Sequence, residues 1–273
     1  MLRKGSGKKD IVVDLHDGNA VAVILGNGDG TFQPPVNYLL NAGNPVPCSV
    51  LLADLKGDGN LDIITTNSNT ATMSIFINKG DGTGTFNAPY TINTGSEPGD
   101  VIAADFNGDG KIDLATEDTS SNTVSIYIGN GDGTFKPRVT YPVGNKPSGI
   151  LAFDFNGDGI MDLAVANSSS NTISMLFGNG DGTFQNQIVT PMPAGVGNGM
   201  GAADFNGDGV PDIAMANAAY NSIVTLFFQN RGSGGGGSAS PGFSESIGSW
   251  SVAVTYKGLS TATIDDALAS MGP

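Results

Sequence analysis

The chain writes one acidic nine-residue loop four times, at a period of about fifty residues. The copies are DLKGDGNLD at 54–62, DFNGDGKID at 105–113, DFNGDGIMD at 154–162 and DFNGDGVPD at 204–212. A fixed period of that length indicates a repeat architecture, in which each unit buries its apolar surface against its neighbours. Three carboxylates packed into nine residues repel one another unless a cation sits among them. One short motif therefore constrains architecture and chemistry together.

The residues between the loops set the fold class. Around the third copy, a short apolar run ends at Phe153, and the loop leads into Leu163–Ala166. A polar turn, Ser168–Thr172, precedes a third run, Ile173–Phe177. A Gly-rich turn, Gly178–Phe184, precedes a fourth, Gln187–Thr190. Runs of this length, separated by Asn-Gly and Asp-Gly turns and lacking helical periodicity, are antiparallel strands. Four per fifty residues make one blade, so the chain is expected to be all-β: a β-propeller of four-stranded antiparallel blades, about five of them, with the first and last partial. The Gly-rich turn recurs at 26–32 and 129–135, and in stretched form at 78–86.

Both ends depart from the repeat. Asp10 aligns with Asp62, Asp113, Asp162 and Asp212, so the first unit begins inside its own loop and lacks a first strand. Ser6 stands there where an Asp is expected and Leu2 where the first Asp is expected, so this copy should hold no metal. The last unit breaks off after its third run, Ile223–Phe228. The expected division is repeats over 1–230, a Gly/Ser-rich linker over 231–242, and a tail over 243–273. The tail carries one strand-like run, 250–256, and a stretch with helical character, 264–271. That strand is expected either to close the propeller of its own chain or to pair with a neighbouring subunit, and the second outcome would build an oligomer or filament.

Composition narrows the function. Of 273 residues, 12 are basic and 26 acidic, a net charge of −14, which argues against nucleic acid as a partner. The four loops hold twelve of the acids, and one divalent ion in each would offset eight negative charges. Cys48 is alone, so no intrachain disulfide forms, and a lone Cys is expected to be a buried or half-buried filler. No apolar run reaches the length of a membrane span, and no leader with an apolar centre is visible at the start. His16 is the only histidine and lies in a turn, where it is expected to be solvated rather than catalytic. The three glutamates, 97, 117 and 245, are scattered and nominate no acid–base pair.

Calcium takes six to eight hard oxygen ligands, and alternate residues of a curled loop supply them. In 105–113 these are Asp105 (position 1), Asn107 (3), Asp109 (5), the peptide carbonyl of Lys111 (7) and Asp113 (9). Gly110, at position 6, permits the sharp turn. An EF-hand starts the same way but needs Glu at position 12 and flanking helices; here position 12 is Thr65, Thr116, Val165 and Met215. The second loop carries Lys56 at position 3, which removes an oxygen and adds a positive charge, so it is expected to be the weakest site. The Gly-rich turns bring one carboxylate each (Asp29, Asp81, Asp132, Asp181) and read as turns, not cages.

The combination D-F-N-G-D-G-x-x-D, an apolar strand and then G-N-G-D-G-T-F resembles the FG-GAP/VCBS repeat over about residues 10–230. The resemblance implies an integrin-alpha-like calcium-binding propeller, found mostly in extracellular or cell-surface proteins that bind proteins or carbohydrates. Its ligand positions fall on Asp105, Asn107, Asp109 and Asp113; on Asp154, Asn156, Asp158 and Asp162; and on Asp204, Asn206, Asp208 and Asp212. In the second loop they fall on Asp54, Asp58 and Asp62, and the position-7 carbonyls belong to Asn60, Ile160 and Val210. The expected function is a calcium-stabilised, non-catalytic extracellular binding or adhesion module. Its cofactor is Ca2+ in three strong sites and one weaker, and its ligand an unidentified protein or carbohydrate. A strand-donating structural subunit is the alternative, and a carbohydrate-active enzyme or its accessory domain a further one.

Overall fold

The computed structural model describes residues 2, 5–40, 43–192, 196–205, 209–217, 223–229 and 250–255, with side chains described to 192 and again over 199–205 and 209–215. The described residues form five antiparallel sheets in chain order. The first has three strands, β1 (Ile11–Leu15), β2 (Ala20–Ile24) and β3 (Val36–Leu39). The second comprises β4 (Pro47–Ala53), β5 (Asp62–Asn67), β6 (Thr72–Phe76) and β7 (Tyr90–Asn93), and the third β8 (Pro98–Ala104), β9 (Asp113–Asp118), β10 (Thr123–Tyr127) and β11 (Val139–Pro142). The fourth comprises β12 (Pro147–Phe153), β13 (Asp162–Asn167), β14 (Thr172–Leu176) and β15 (Ile188–Pro191), and the fifth β16 (Val196–Ala203), β17 (Asp212–Asn217), β18 (Ile223–Gln229) and β19 (Trp250–Thr255). Each sheet is a meander, so sequence neighbours are sheet neighbours. The inner strands β4, β8, β12 and β16 lie side by side, each against the next, which is the arrangement of propeller blades around an axis.

Strand composition follows position in the blade. Every residue of β5, β9 and β13 is buried, because these strands carry a neighbouring blade on each face. The outer strands β7 and β15 face solvent for much of their length. The only helical pieces among the described residues are two single 3-10 turns, His16–Gly18 and Ser68–Thr70. No described helix is long and apolar enough to cross a membrane.

The core is a chain of four junctions. Leu2, Val21 and Val23 of the first unit pack on Ile63 and Phe76 of the second. Leu55, Ile64 and Met73 of the second pack on Leu114 and Tyr127 of the third. Phe106, Val124 and Ile126 of the third pack on Leu163, Val165 and Leu176 of the fourth. Phe155, Ile173 and Met175 of the fourth pack on Ile213 and Met215 of the fifth. Each unit thus presents a front set to its predecessor and a rear set to its successor. Tyrosines on the outer strands add polar ties across the same seams. Tyr90 Oη donates to the Gly133 carbonyl, Tyr141 Oη accepts from Phe184 N–H at 3.0 Å, and Tyr38 stacks edge-on against Phe86. The hydroxyl of a half-buried Tyr finds a partner where the ring finds apolar cover.

Two expectations about the ends change. Leu2 does not stand opposite the first Asp of the loop. It is buried in the first junction, and its N–H donates to Asp10 Oδ2, as the N–H of position 2 does to position 9 in each later loop. The first loop therefore carries one extra residue. β19 runs antiparallel to β18, with Val224 opposite Thr255 and Gln229 opposite Trp250. It takes the fourth-strand place in the fifth sheet, not the first-strand place missing from the first sheet. The linker over 231–242 and the stretch 264–271 lie outside the described residues. Cys48 is also not the filler that its type suggests: it is exposed at the start of β4, its thiol directed to the Val46 carbonyl.

Candidate metal centre

Each acidic loop joins the end of an inner strand to the start of the second strand of the same blade. Position 1 is the loop's internal anchor. Asp105 Oδ1 accepts from the N–H groups of Gly108 (2.8 Å) and Asp109 (3.2 Å), and its Oδ2 from Gly110 (2.7 Å). Asp154 does the same with Gly157, Asp158 and Gly159, and Asp54 with Asp58 and Gly59. Asp204 accepts from Gly209. These bonds curl the backbone, and the curl requires left-handed residues: Gly108 and Gly110 have φ of 72° and 78°. Position 3 then caps position 5, with Asn107 Oδ1 accepting from Asp109 N–H and Asn156 Oδ1 from Asp158 N–H. Position 5 caps position 7, with Asp109 Oδ1 accepting from Lys111 N–H and Asp158 Oδ1 from Ile160 N–H.

Position 9 has a second task that the loop spacing does not reveal. Asp62, Asp113, Asp162 and Asp212 are fully buried. Asp113 accepts from Phe106 N–H at 2.9 Å and from Gly129 N–H at 2.7 Å, tying the loop to the Gly-rich hairpin of the same blade. Asp62 does so with Leu55 and Asn78, and Asp162 with Phe155 and Gly178. Asp10 keeps the same two bonds, to Leu2 and Gly26, in the unit whose loop lacks the other carboxylates. The bracket is thus structural in its own right.

The electrostatics penalise bare charge at position 9. Burial pushes Asp113 above the usual carboxylate range, and repulsion from Asp109 and Asp105 adds to it. Burial likewise raises Asp162 to about 6, with Asp158 and Asp154 contributing. In the second loop a cation is built in: Lys56 Nζ lies 2.5 Å from Asp58 Oδ2, and Asp54 and Asp62 also attract it. Lys111, at position 7 of the third loop, is looser, 3.5 Å from Asp109.

Among the described residues, no three His, Cys, Asp or Glu side chains are gathered into a metal-holding group. Within each loop the side chains serve the backbone amides. Their chemistry, however, suits a hard cation: Asp, Asn and Asp oxygens with a peptide carbonyl and a buried Asp, and no nitrogen or sulfur donor. Asn206 and Asp208 lie outside the described residues, and of the loop over 204–212 Asp204, Val210 and Asp212 are placed. Val210 is buried, and Ile160 lies over Gly178 and Gly180, so position-7 side chains pack on the hairpin.

The single carboxylates of the Gly-rich turns cap their own hairpins through Oδ1. Asp132 accepts from Thr134 N–H and Oγ1 at 2.8 and 2.6 Å, and Asp29, Asp81 and Asp181 accept from the Thr two residues on in the same way. His16 is exposed, and its ring pairs with Asp17, 3.0 Å away.

One group had no signal in the sequence. Glu117, buried at the end of β9, accepts from Asp100 N–H at 2.7 Å through Oε1, while Oε2 has no partner. Gly99 makes the room: a Cβ there would lie 2.3 Å from Oε1. Burial holds the Glu117 carboxyl well above its usual 4.5, and Asp100 and Asp118 add repulsion. A carboxyl raised in the folded state costs stability as pH climbs from the unfolded value through the folded one. Glu117→Gln should therefore melt progressively higher than the wild type as pH rises from about 4.5, in calorimetric scans at fixed calcium; a gap independent of pH would show that Glu117 is not the source.

Comparisons with known proteins agree with this architecture. A model of the FG-GAP-like repeat matches residues 4–65, 54–116, 118–165 and 154–215, and one of the FG-GAP repeat matches 196–240. No curated protein matches the sequence. Among solved structures, the periplasmic gluconolactonase of Pseudomonas aeruginosa is 16% identical with a TM-score of 0.62, covering 93% of this chain and 72% of that one. A protein of unknown function from Desulfotomaculum acetoxidans is 18% identical with a TM-score of 0.57, covering 81% of this chain and 62% of that one. The chain thus spans less than two thirds of the latter structure's length. At such identities the likeness is one of fold.

Proposed function

The chain belongs to the FG-GAP-like repeat family, and on that footing we propose that it is a calcium-stabilised extracellular binding or adhesion module without catalytic activity. The observation that carries the reading is the oxygen-donor series at positions 1, 3, 5, 7 and 9, written three times in full and once with Lys56 at position 3, in register at the same corner of successive blades. Asp105, Asn107, Asp109, the Lys111 carbonyl and Asp113 would hold one ion, and their counterparts in 154–162 and 204–212 two more. The ion would neutralise the facing carboxylates and lock the curled loop, which is folding energy rather than chemistry. An extracellular setting suits exposed carboxylate loops, since extracellular modules bind calcium with dissociation constants of roughly 10⁻⁴–10⁻³ M. Calcium would take the place of the staple that a single cysteine cannot form within the chain.

The partner, a protein or a carbohydrate, would meet the blades' connecting loops, as in other rigid scaffolds that carry binding loops. The likeness to a gluconolactonase invites a lactonase reading, but fold alone does not carry an activity. Among the described residues His16 pairs with Asp17, and the described carboxylates of the loops serve backbone amides. Gluconolactone hydrolysis should stay at the buffer rate.

Equilibrium calcium binding tests the proposal directly. Three sites are expected to fill together and the Lys56 loop last or not at all; a chain that takes up no calcium sinks the reading. Lys56→Asn should convert the second loop into a site like the other three. The titration should then show one more strong site than the wild type, and an unchanged stoichiometry would mean that the ammonium is not what blocks it.

A further inference from the structure

The third blade departs from the repeat at three positions that the fold brings together. Tyr127 ends β10 where β2, β6 and β14 end in Ile24, Phe76 and Leu176. Lys136 follows the Gly-rich hairpin where the other units have Gln33, Asn87 and Gln185. Arg138 precedes the outer strand where the others have Pro35, Pro89 and Gln187. These side chains line one open pocket of about 450 Å³ at the seam between the second and third blades. Residues 91–93 of β7 form one wall, and Tyr127 with residues 135–138 the other.

The walls are tied together before any ligand arrives, because Tyr127 Oη donates to the Asn93 carbonyl at 3.0 Å. Arg138 is held from behind: its Nη1 donates to Ser125 Oγ at 3.4 Å, and Ser125 Oγ donates in turn to the buried Asp118 at 2.6 Å. Asp118 does not need the guanidinium, since Gly95 N–H, Thr116 Oγ1 and Thr123 Oγ1 also donate to it. A guanidinium carries five N–H donors in a planar fork, and this contact uses one nitrogen. Among the described residues, neither Arg138 nor Lys136 forms an ion pair with a carboxylate. Two exposed cations thus share one pocket on a chain whose net charge is −14. Phe135 is half-buried and Pro137 exposed, so apolar surface stays open beside them.

We propose that this pocket binds a carboxylate-bearing sugar, a uronate unit of an acidic polysaccharide, with the carboxylate on Arg138 and the sugar ring against Phe135 and Pro137. The charge selects an anion, and the planar fork suits a carboxylate, which it can hold through two parallel hydrogen bonds. Lys136 adds attraction as a point charge. A volume of about 450 Å³ is that of a small-molecule site, and an apolar floor with a few polar groups is its usual lining. Thr91 and Asn93 on the facing wall offer partners to ring hydroxyls, while the C–H face of a pyranose covers the apolar floor. The proposal deepens the binding-module reading by naming its ligand class and rests on it in that respect alone, because none of these residues belongs to an acidic loop.

Isothermal titration calorimetry of the full chain at fixed calcium tests it, with trigalacturonate and triglucuronate as probes. At least one should bind, and its methyl ester, which keeps the rings and loses the charge, should not. Arg138→Gln and Lys136→Gln install residues that other units carry at the same places, Gln187 in one case and Gln33 and Gln185 in the other. Both variants should therefore fold, which far-UV circular dichroism checks. Arg138→Gln should weaken binding by more than about tenfold, the loss expected of a charge-assisted paired contact. Lys136→Gln should weaken it by roughly threefold and flatten its dependence on salt, as for an exposed point charge. Hexaglutamate should bind far more weakly than the sugar acid. The proposal is overturned if neither uronate binds, if the ester binds as well as the acid, or if Arg138→Gln binds like the wild type. Hexaglutamate binding as tightly as the uronates also overturns it, since the pocket would then read an acidic peptide. A chain that takes up calcium yet binds no uronate loses this ligand class and leaves the calcium reading standing.

Discussion

Excess chelator should lower the melting midpoint far more than any single surface substitution. A ligand bound only by the folded state adds about 2.7 kcal/mol per site at a hundredfold excess over its dissociation constant. Three such sites add roughly 8 kcal/mol, on the scale of the 5–15 kcal/mol that holds a typical domain together. The carboxylates left behind are penalised: burial raises Asp113 and Asp162 above the usual range, and repulsion from Asp109 and Asp105, and from Asp158 and Asp154, adds to it. Scanning calorimetry with calcium and with chelator measures the effect, and an unchanged midpoint would remove the calcium reading altogether. Magnesium should restore little of the loss, because it demands a tighter octahedral shell than a flexible loop offers.

The second large effect is expected at Phe106. Its ring is buried between the third and fourth blades and meets Phe184 edge-on at 5.5 Å. Its N–H is one of the two donors that hold Asp113. Phe106→Ala removes a ring from a packed seam and should cost about 3–5 kcal/mol, the range for such cavities. Phe205→Ala, the same substitution at the same repeat position, should cost under about 1 kcal/mol in the monomer, since that ring is half in water. Urea melts of the two variants at low protein concentration give the comparison; equal losses would mean that the rear of the fifth sheet is covered after all.

Much of the architecture was legible from local signals. Strand runs, Asp-Gly turns and a period near fifty each depend on a few consecutive residues, and the three complete blades follow the pattern read from 149–190. Lys56 was legible as a defect because one position in four carried the wrong charge, and its ammonium sits against Asp58. The double duty of position 9 was not legible. It depends on Gly129, sixteen residues beyond Asp113, whose N–H returns only when the hairpin folds back. Its persistence at Asp10 was a signal: a carboxylate kept where the other loop carboxylates are lost has a job apart from metal. Leu2 was misaligned for the same reason, since its place is set by burial and by a bond to Asp10, not by counting back from it.

The seams were the least legible part. Tyr38, Tyr90 and Tyr141 recur near a fifty-residue spacing, yet each acts on the next repeat, on Phe86, Gly133 and Phe184. Glu117 looked like one of three scattered glutamates until β8 and β9 brought it against Asp100.

From the sequence alone came the kind of unit and the chemistry of its loop, because strands, turns and a nine-residue oxygen series are written in neighbouring residues. Only the tertiary structure decided which faces meet and where β19 pairs. Those depend on burial between units fifty residues apart, which no run of neighbouring residues encodes.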